Sequence, residues 1–232
     1  MSPSAVQTLA DALRRRILDG DLPAHARLVE QELTSTYDVA RHTARAALRQ
    51  LASEGLVVVE PNRGARVARM DGRQLRGLHE LRTALECEAA RLALERHDGT
   101  LPASVHAAVA GLARVCRGDA PPWSAVVDAH DAVHRALVEA ARSPRITAAH
   151  RLLASEMRLF LVQLRPAWTL ERMARDHERL AADLEARGPE ALRAHLAEST
   201  AALLAHEMDL PGMVAGAGAG GRQARTGRPE NA

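Results

Sequence analysis

From about residue 73 onward the chain carries one kind of pattern, apolar residues at helical spacing, interrupted only by short breaks rich in proline or glycine. Periodicity of that kind rules out a sheet for this part and leaves helices packed on helices. Breaks at Thr100-Leu101-Pro102, Pro121-Pro122, Ser143-Pro144, Pro166 and Gly188-Pro189 predict helices over roughly 73–97, 101–117, 123–142, 144–165, 169–187 and 189–208. Ser143-Pro144 places a capping side chain before a proline at the first helical position, and Gly188-Pro189 reads as a stop followed by a start. Connections this short require antiparallel neighbours. Aromatic residues are only 2% of the chain, so the core must be built from Leu, Val and Ala, which suits close-packed helices.

The first seventy residues are organised differently. Val6, Leu9, Leu13 and Ile17 mark a helix that stops at Asp19-Gly20-Asp21, ahead of Pro23. A short helical piece covers 29–37, and Asp38 breaks it. A third helix runs over about 40–54, with Ala44, Ala47, Leu48 and Leu51 as its buried stripe and Gly55 as its stop. Two β-type runs, Leu56-Val57-Val58-Val59 and Ala65-Arg66-Val67-Ala68, flank the turn signal Pro61-Asn62-Arg63-Gly64. Three helices followed by a hairpin make a winged helix. The expected fold is therefore mainly α. A winged helix-turn-helix with a small β-hairpin wing occupies 1–70 and an all-helical antiparallel bundle 71–210. The Gly/Ala-rich tail, 211–232, has no means of forming a core.

Net charge decides little, because Lys+Arg 31 is nearly balanced by Asp+Glu 29. All the basic residues are arginines, so any phosphate or base contact uses a guanidinium fork. In the third helix the expected exposed residues are Ala40, Arg41, His42, Thr43, Arg45 and Arg49, and Arg41, Arg45 and Arg49 recur every four residues to form one basic stripe. Arginine is common throughout, and a solvated helix face would carry the same residues. The position of this stripe, straight after a turn and ahead of a wing, points instead to DNA.

The segments Leu13 to Pro23, Arg27 to Leu33, Arg41 to Leu51, Glu54-Gly55-Leu56-Val57 and Asn62 to Val67 together resemble the winged helix of the GntR family of bacterial regulators. The resemblance covers nearly all of residues 6–69. It implies that Arg41 and Arg45 contact DNA, with His42 and Thr43 beside them, and that the wing tip, Asn62, Arg63 and Gly64, reaches the minor groove. Ala24-His25 stands where the family has Pro-Gly, and Asp38 where it has the glycine of the turn. Ala40, Thr43 and Ala46 replace the family's Ser, Pro and Glu. These departures bear on the operator sequence more than on DNA binding.

In the second half His130 and His134 lie at i and i+4 on one helix, with His177 and His195 on the next helices but one and two. Four imidazoles from three helices could converge in a bundle on a divalent ion such as zinc, nickel or manganese. The chain has 11 histidines, so a pair at that spacing also arises by chance. The segments Leu78 to Glu86, Val133 to Val138, Asp176-His177-Glu178 and Ala194-His195-Leu196 resemble the FCD domain of FadR-type GntR regulators. Many such domains hold a metal with one Asp and three His and use it to bind a small carboxylate effector. On that resemblance His134, His177 and His195 are the three histidines, while the aspartate position is His130 here. Either His130 substitutes as a ligand, in a shell favouring zinc, nickel or copper over manganese, or the metal has been lost. Arg82 falls at the family's arginine position, poised for an effector carboxylate, or forms a plain ion pair with Glu86.

The expected function is a ligand-responsive transcriptional regulator, most simply a repressor, binding a pseudo-palindromic operator as a homodimer. The alternatives are a constitutive DNA-binding dimer and a metal-dependent enzyme. Against the enzyme, no motif pairs a general base with an open metal position. Cys87 and Cys116 read as reduced, buried thiols. With no apolar run of membrane length and no targeting pattern, a cytoplasmic protein with no membrane partner is expected.

Overall fold

In the computed structural model, the described residues are 3–60 and 64–209, with side chains as far as 206. The wing-tip residues Asn62 and Arg63 and the tail from 211 lie outside them.

The winged helix is built as its periodicity requires. Helix α1 (Ala5–Asp19) is capped by Ser4, whose hydroxyl accepts from the Gln7 amide, and ends on Gly20 in the left-handed conformation. Its stripe of Leu9, Leu13 and Ile17 is wholly buried, worth about 1.5–3 kcal/mol for each large side chain. After the two-residue strand β1 (Arg27–Leu28), α2 (Glu30–Tyr37) ends at Asp38, which adopts the left-handed φ of +50° that the turn needs. An aspartate tolerates that conformation better than most residues.

Helix α3 (Arg41–Ser53) follows. An Arg14 fork on Glu54 at 2.7 and 2.5 Å ties α1 to its C-terminal end. Strands β2 (Val57–Glu60) and β3 (Gly64–Val67) form the hairpin, and β1 joins β3 to give an antiparallel sheet of order β1-β3-β2. The register pairs Glu60 with Gly64 and Leu28 with Ala65. Gly64 is required twice over: its φ is +86°, and a Cβ there would stand 2.7 Å from the Leu28 carbonyl oxygen.

The remaining helices are α4 (Gly72–Arg96), α5 (Ala103–Cys116), α6 (Trp123–Ala140), α7 (Pro144–Arg151), α8 (Ala154–Leu164), α9 (Leu170–Arg187) and α10 (Glu190–Asp209). Their mainly apolar stripes pack into a bundle in which α4 lies against α6 and α10, and α5 against α6 and α9. Cys87 and Cys116 are buried and free. Among the described residues no helix is long and apolar enough to cross a membrane.

One expectation needs correction. The segment 144–165 is not one helix, because it breaks at Leu152 and Leu153, whose amides bond back three residues to Ala149 and His150. No proline or glycine marks the break, and Leu152 is left 82% exposed. The cause is packing: α7 lies against α4 and α6 while α8 turns to meet α6 and α1.

The two units are joined by a specific contact. The residue preceding α6 is Pro122, so that helix has no side-chain cap of its own. Asp19, at the end of α1, supplies one, its Oδ1 accepting the Ser124 amide at 2.7 Å. Arg165 donates to the Asp19 carbonyl and lies over the Trp123 ring, 5.6 Å from its centroid. Gln163 completes the joint by bonding both the amide and the carbonyl of Met70, at 2.8 and 3.1 Å.

Candidate metal centre and DNA-reading face

Four of the helices direct a histidine into one place. On α6, His130 and His134 interrupt the buried stripe Trp123, Val126, Val133 and Leu137. His177 does the same between Met173 and Leu180 on α9, and His195 lies beside Leu192 and Leu196 on α10. The rings of His130, His134 and His177 are buried, with centroids 4.6 to 5.7 Å apart. Candidate ligand atoms of these three residues all lie within 4.8 Å of one another. His195 is only half-buried and stands outside that triplet, its centroid 4.7 Å from His177 and 6.0 Å from His134. On α7, His150 is buried beside Glu86.

The hydrogen-bond partners fix which nitrogens are free. His134 Nδ1 is 2.8 Å from Glu86 Oε2, and His177 Nδ1 is 2.8 Å from the Met173 carbonyl. An ionised carboxylate and a carbonyl can only accept, so both rings carry their proton on Nδ1 and leave the Nε2 lone pair open. Those two Nε2 atoms, with His130 Nδ1, are buried and have no hydrogen-bond partner among the described residues. A buried polar atom left unpaired costs about 1–3 kcal/mol, and three in one place call for a common partner. Outward support of two imidazoles by a carboxylate and a backbone oxygen is the arrangement that orients metal-binding histidines.

The electrostatics agree. Burial pushes His130 and His195 well below the ordinary imidazole range, His134 more moderately, and His177 down to about 3. The rings are therefore neutral near pH 7 and available as ligands. Burial also works against a charge on Glu86, yet Arg82 and His134 outweigh it and hold the carboxyl well below its usual range. Arg82 Nε bonds Glu86 Oε1 at 2.8 Å, and its guanidinium lies 5.8 Å from the Phe160 ring centroid. His150 Nε2 comes within 3.4 Å of Glu86 Oε1 without hydrogen-bond geometry. Of the two roles read for Arg82, the ion pair with Glu86 is the one present, and it is buried rather than a surface pair.

Sequence reasoning missed His150 altogether, and it read Glu86 only as a partner of Arg82, without its contact to His134. A signal for Glu86 existed: the α4 stripe Leu75, Leu78, Ala89, Ala90 and Ala93 is apolar except where Arg82 and Glu86 interrupt it.

The second candidate surface is the exposed face of α3. Arg41, His42, Arg45 and Arg49 are exposed there, as expected. Thr43 is not, being 7% exposed. It lies on the i, i+4 row 43-47-51, which is the buried row of this helix, so its hydroxyl does not face outward. Between α3, the start of α2 and the wing runs a cleft of about 790 Å³ lined by Arg41, Arg45, Arg49, Glu30 and Gly64, among others.

Residues 5–67 match the model of the bacterial regulatory proteins of the gntR family, and residues 77–202 match the FCD domain. This chain belongs to the GntR family, in its FCD-bearing form. Over 206 residues, 84% of each protein, it is 32% identical to the HTH-type transcriptional regulator BphR of Paraburkholderia xenovorans. It is 33% identical over 87 residues, 38% of each protein, to the HTH-type transcriptional repressor RspR of Escherichia coli. A solved GntR transcriptional regulator from Rhodococcus sp. RHA1 is 27% identical with a TM-score of 0.67, covering 88% of this chain and 99% of that one.

As a GntR regulator the protein is a DNA-binding transcription factor and not an enzyme. The winged helix and the helical FCD domain are the two parts anticipated from the sequence. FCD domains bind metal in some cases, and in this one a group of three buried histidines is available for it.

Proposed function

We propose that this GntR regulator is a repressor of FadR type. As a homodimer it binds a pseudo-palindromic operator with its head, residues 1–70, and releases it when the helical domain, 71–210, takes up a small carboxylate. The reading rests on one observation above the others: His130, His134 and His177 each keep a buried, unpartnered ring nitrogen, and candidate ligand atoms of the three lie within 4.8 Å of one another inside the bundle. They fit a divalent ion, with His195 near enough to His177 to complete an all-nitrogen set. Zinc suits such a set, nickel also, and manganese less well. His130, where the family usually keeps an aspartate, acts as a ligand on this reading.

A bound ion would act as a Lewis acid that holds an anionic effector. The other groups are this chain's own. Glu86 and the Met173 carbonyl keep His134 and His177 in the tautomer that offers Nε2. Neutral imidazoles leave the dication's charge uncancelled, and Glu86 already shares its charge with Arg82. A carboxylate effector supplies the missing anion, with Arg82 as its second anchor.

Transmission to DNA has a route. The helix carrying His130 and His134 is capped by Asp19 of the head, so a shift of α6 on effector binding moves the end of α1 directly.

The test is elemental analysis of protein purified without a histidine tag, with mobility shifts on the DNA upstream of its own gene. About one equivalent of divalent metal per chain, lost in His134→Ala, is the expected result, together with an operator shift that a carboxylate reverses. A wild-type protein that carries no stoichiometric metal, and whose operator shift no carboxylate reverses, would be a constitutive DNA-binding dimer and would end the sensor reading.

A further inference from the structure

The cleft that would receive DNA contains a carboxylate that a plain phosphate-binding surface would avoid. Glu30, in the first turn of α2, stands among Arg41, Arg45 and Arg49 of the recognition helix and remains ionised, held down chiefly by its hydrogen bond to Arg45. A negative charge here repels a polyanion and lowers affinity for every sequence alike. It must do something that offsets this loss.

The geometry shows what that is. Arg45 Nε donates to Glu30 Oε1 and Arg45 Nη2 to Glu30 Oε2, both at 2.9 Å, a bidentate fork that consumes one edge of the guanidinium. Nη1 and the second proton of Nη2 remain, and together they form the end edge of the same plane. That edge carries two parallel N–H donors, the pattern that pairs with O6 and N7 of guanine in the major groove. Arg41 and Arg49, one turn to either side, make no hydrogen bond or ion pair among the described residues. Without a fixed partner their guanidinium groups can follow phosphate oxygens, where position matters more than angle. The stripe of three arginines therefore divides into one oriented side chain and two free ones.

We propose that Arg45 reads a guanine in each operator half-site and that Glu30 is its positioning residue, holding the guanidinium plane so that only its end edge faces the base. Arg41 and Arg49 serve as backbone contacts. The inference rests on the operator-binding reading of α3 and adds to it the base class recognised and the residue that enforces it.

The experiment uses the full-length protein. Operator half-sites are first selected from a random duplex pool. Affinities for the selected duplex and for single-base variants are then measured by fluorescence anisotropy across a salt series, for wild type, Glu30→Gln, Glu30→Ala, Arg45→Lys and Arg49→Ala. Wild type should require guanine at one half-site position. Both Glu30 variants and Arg45→Lys should lose about fivefold or more of that discrimination, with other positions unaffected. Arg49→Ala should weaken all duplexes together and lower the salt slope by about 1. If the Glu30 variants keep the guanine preference and bind all duplexes more tightly, Glu30 is only a repelling charge and the inference fails. If wild type binds every duplex equally, the sequence-specific reading of α3 fails first, and this inference with it. Thr43 is buried, so Thr43→Ala serves as a control expected to leave base preference unchanged.

Discussion

The recognition face of α3 and the histidine cluster of the bundle use polar side chains in opposite ways. On α3 the arginines are exposed, and their partner is solvent or, in one case, Glu30. In the bundle the imidazoles, Arg82 and Glu86 are withdrawn from water, and each depends on a neighbour from another helix or from the next turn. An exposed charge costs little whether or not it is paired, whereas a buried one is tolerable only when the surrounding structure supplies its partner. Substitutions on the face should therefore alter DNA binding and leave stability alone, while those in the cluster should alter stability or metal binding and act on DNA only through the effector.

The largest effect should come from Glu86→Ala, which leaves Arg82 charged and unpaired in the core. A loss of about 3–5 kcal/mol is expected, read as a large fall in Tm. A melting temperature near wild type would mean that water reaches the cluster and that the contrast is false. Next is His134→Ala, expected to weaken the metal site by about a hundredfold while sparing DNA affinity in the absence of effector. Competition with a chelating dye measures the first quantity and anisotropy the second.

Acid separates the two regions as well. His177 is pushed down to about 3 in the folded protein, below its ordinary value, so between those limits the unfolded chain binds more protons. Stability should be flat above roughly pH 6.5 and fall as pH drops below it, by about tenfold in the folding equilibrium per unit for this ring alone. Denaturant melts of metal-free protein from pH 7.5 to 5 check this, and His177→Gln should lessen the slope without removing it, since burial pushes His130, His134 and His195 down as well.

A smaller effect is expected of Asp19→Ala, which removes the cap of α6: about 1 kcal/mol of stability, with a weakened DNA response to effector. Unchanged effector response in this variant would remove the joint from the signalling route. Smallest of all, Arg91→Ala breaks two exposed pairs, with Glu88 and Glu95, and should leave Tm where it is.

Much of the head could be read directly. Its contacts follow from adjacent elements, so the periodicity of Leu9, Leu13 and Ile17, the turn at Asp38 and the glycines at 20, 55 and 64 located each piece. Thr43 was the exception. Reading it as exposed treated the start of α3 as wholly solvent-facing, although the row it shares with Ala47 and Leu51 is the buried one. In the bundle, helix limits were legible wherever a proline or glycine marked them. They were not legible at Leu152, where packing alone bends the chain.

For the candidate site, the sequence supplied the four imidazoles and the family pattern that groups them. It could not supply the proton positions. Those follow from Glu86 and the Met173 carbonyl, the first of them 48 residues away from His134 along the chain. The same holds for Glu30 and Arg45, which are 15 residues apart and meet only because α2 and α3 cross. Helical spacing decides which side chains share a face, since that depends on local backbone geometry alone. Which face meets which, and so which nitrogen keeps a free lone pair or which edge of a guanidinium is left for a base, is decided only when the helices pack.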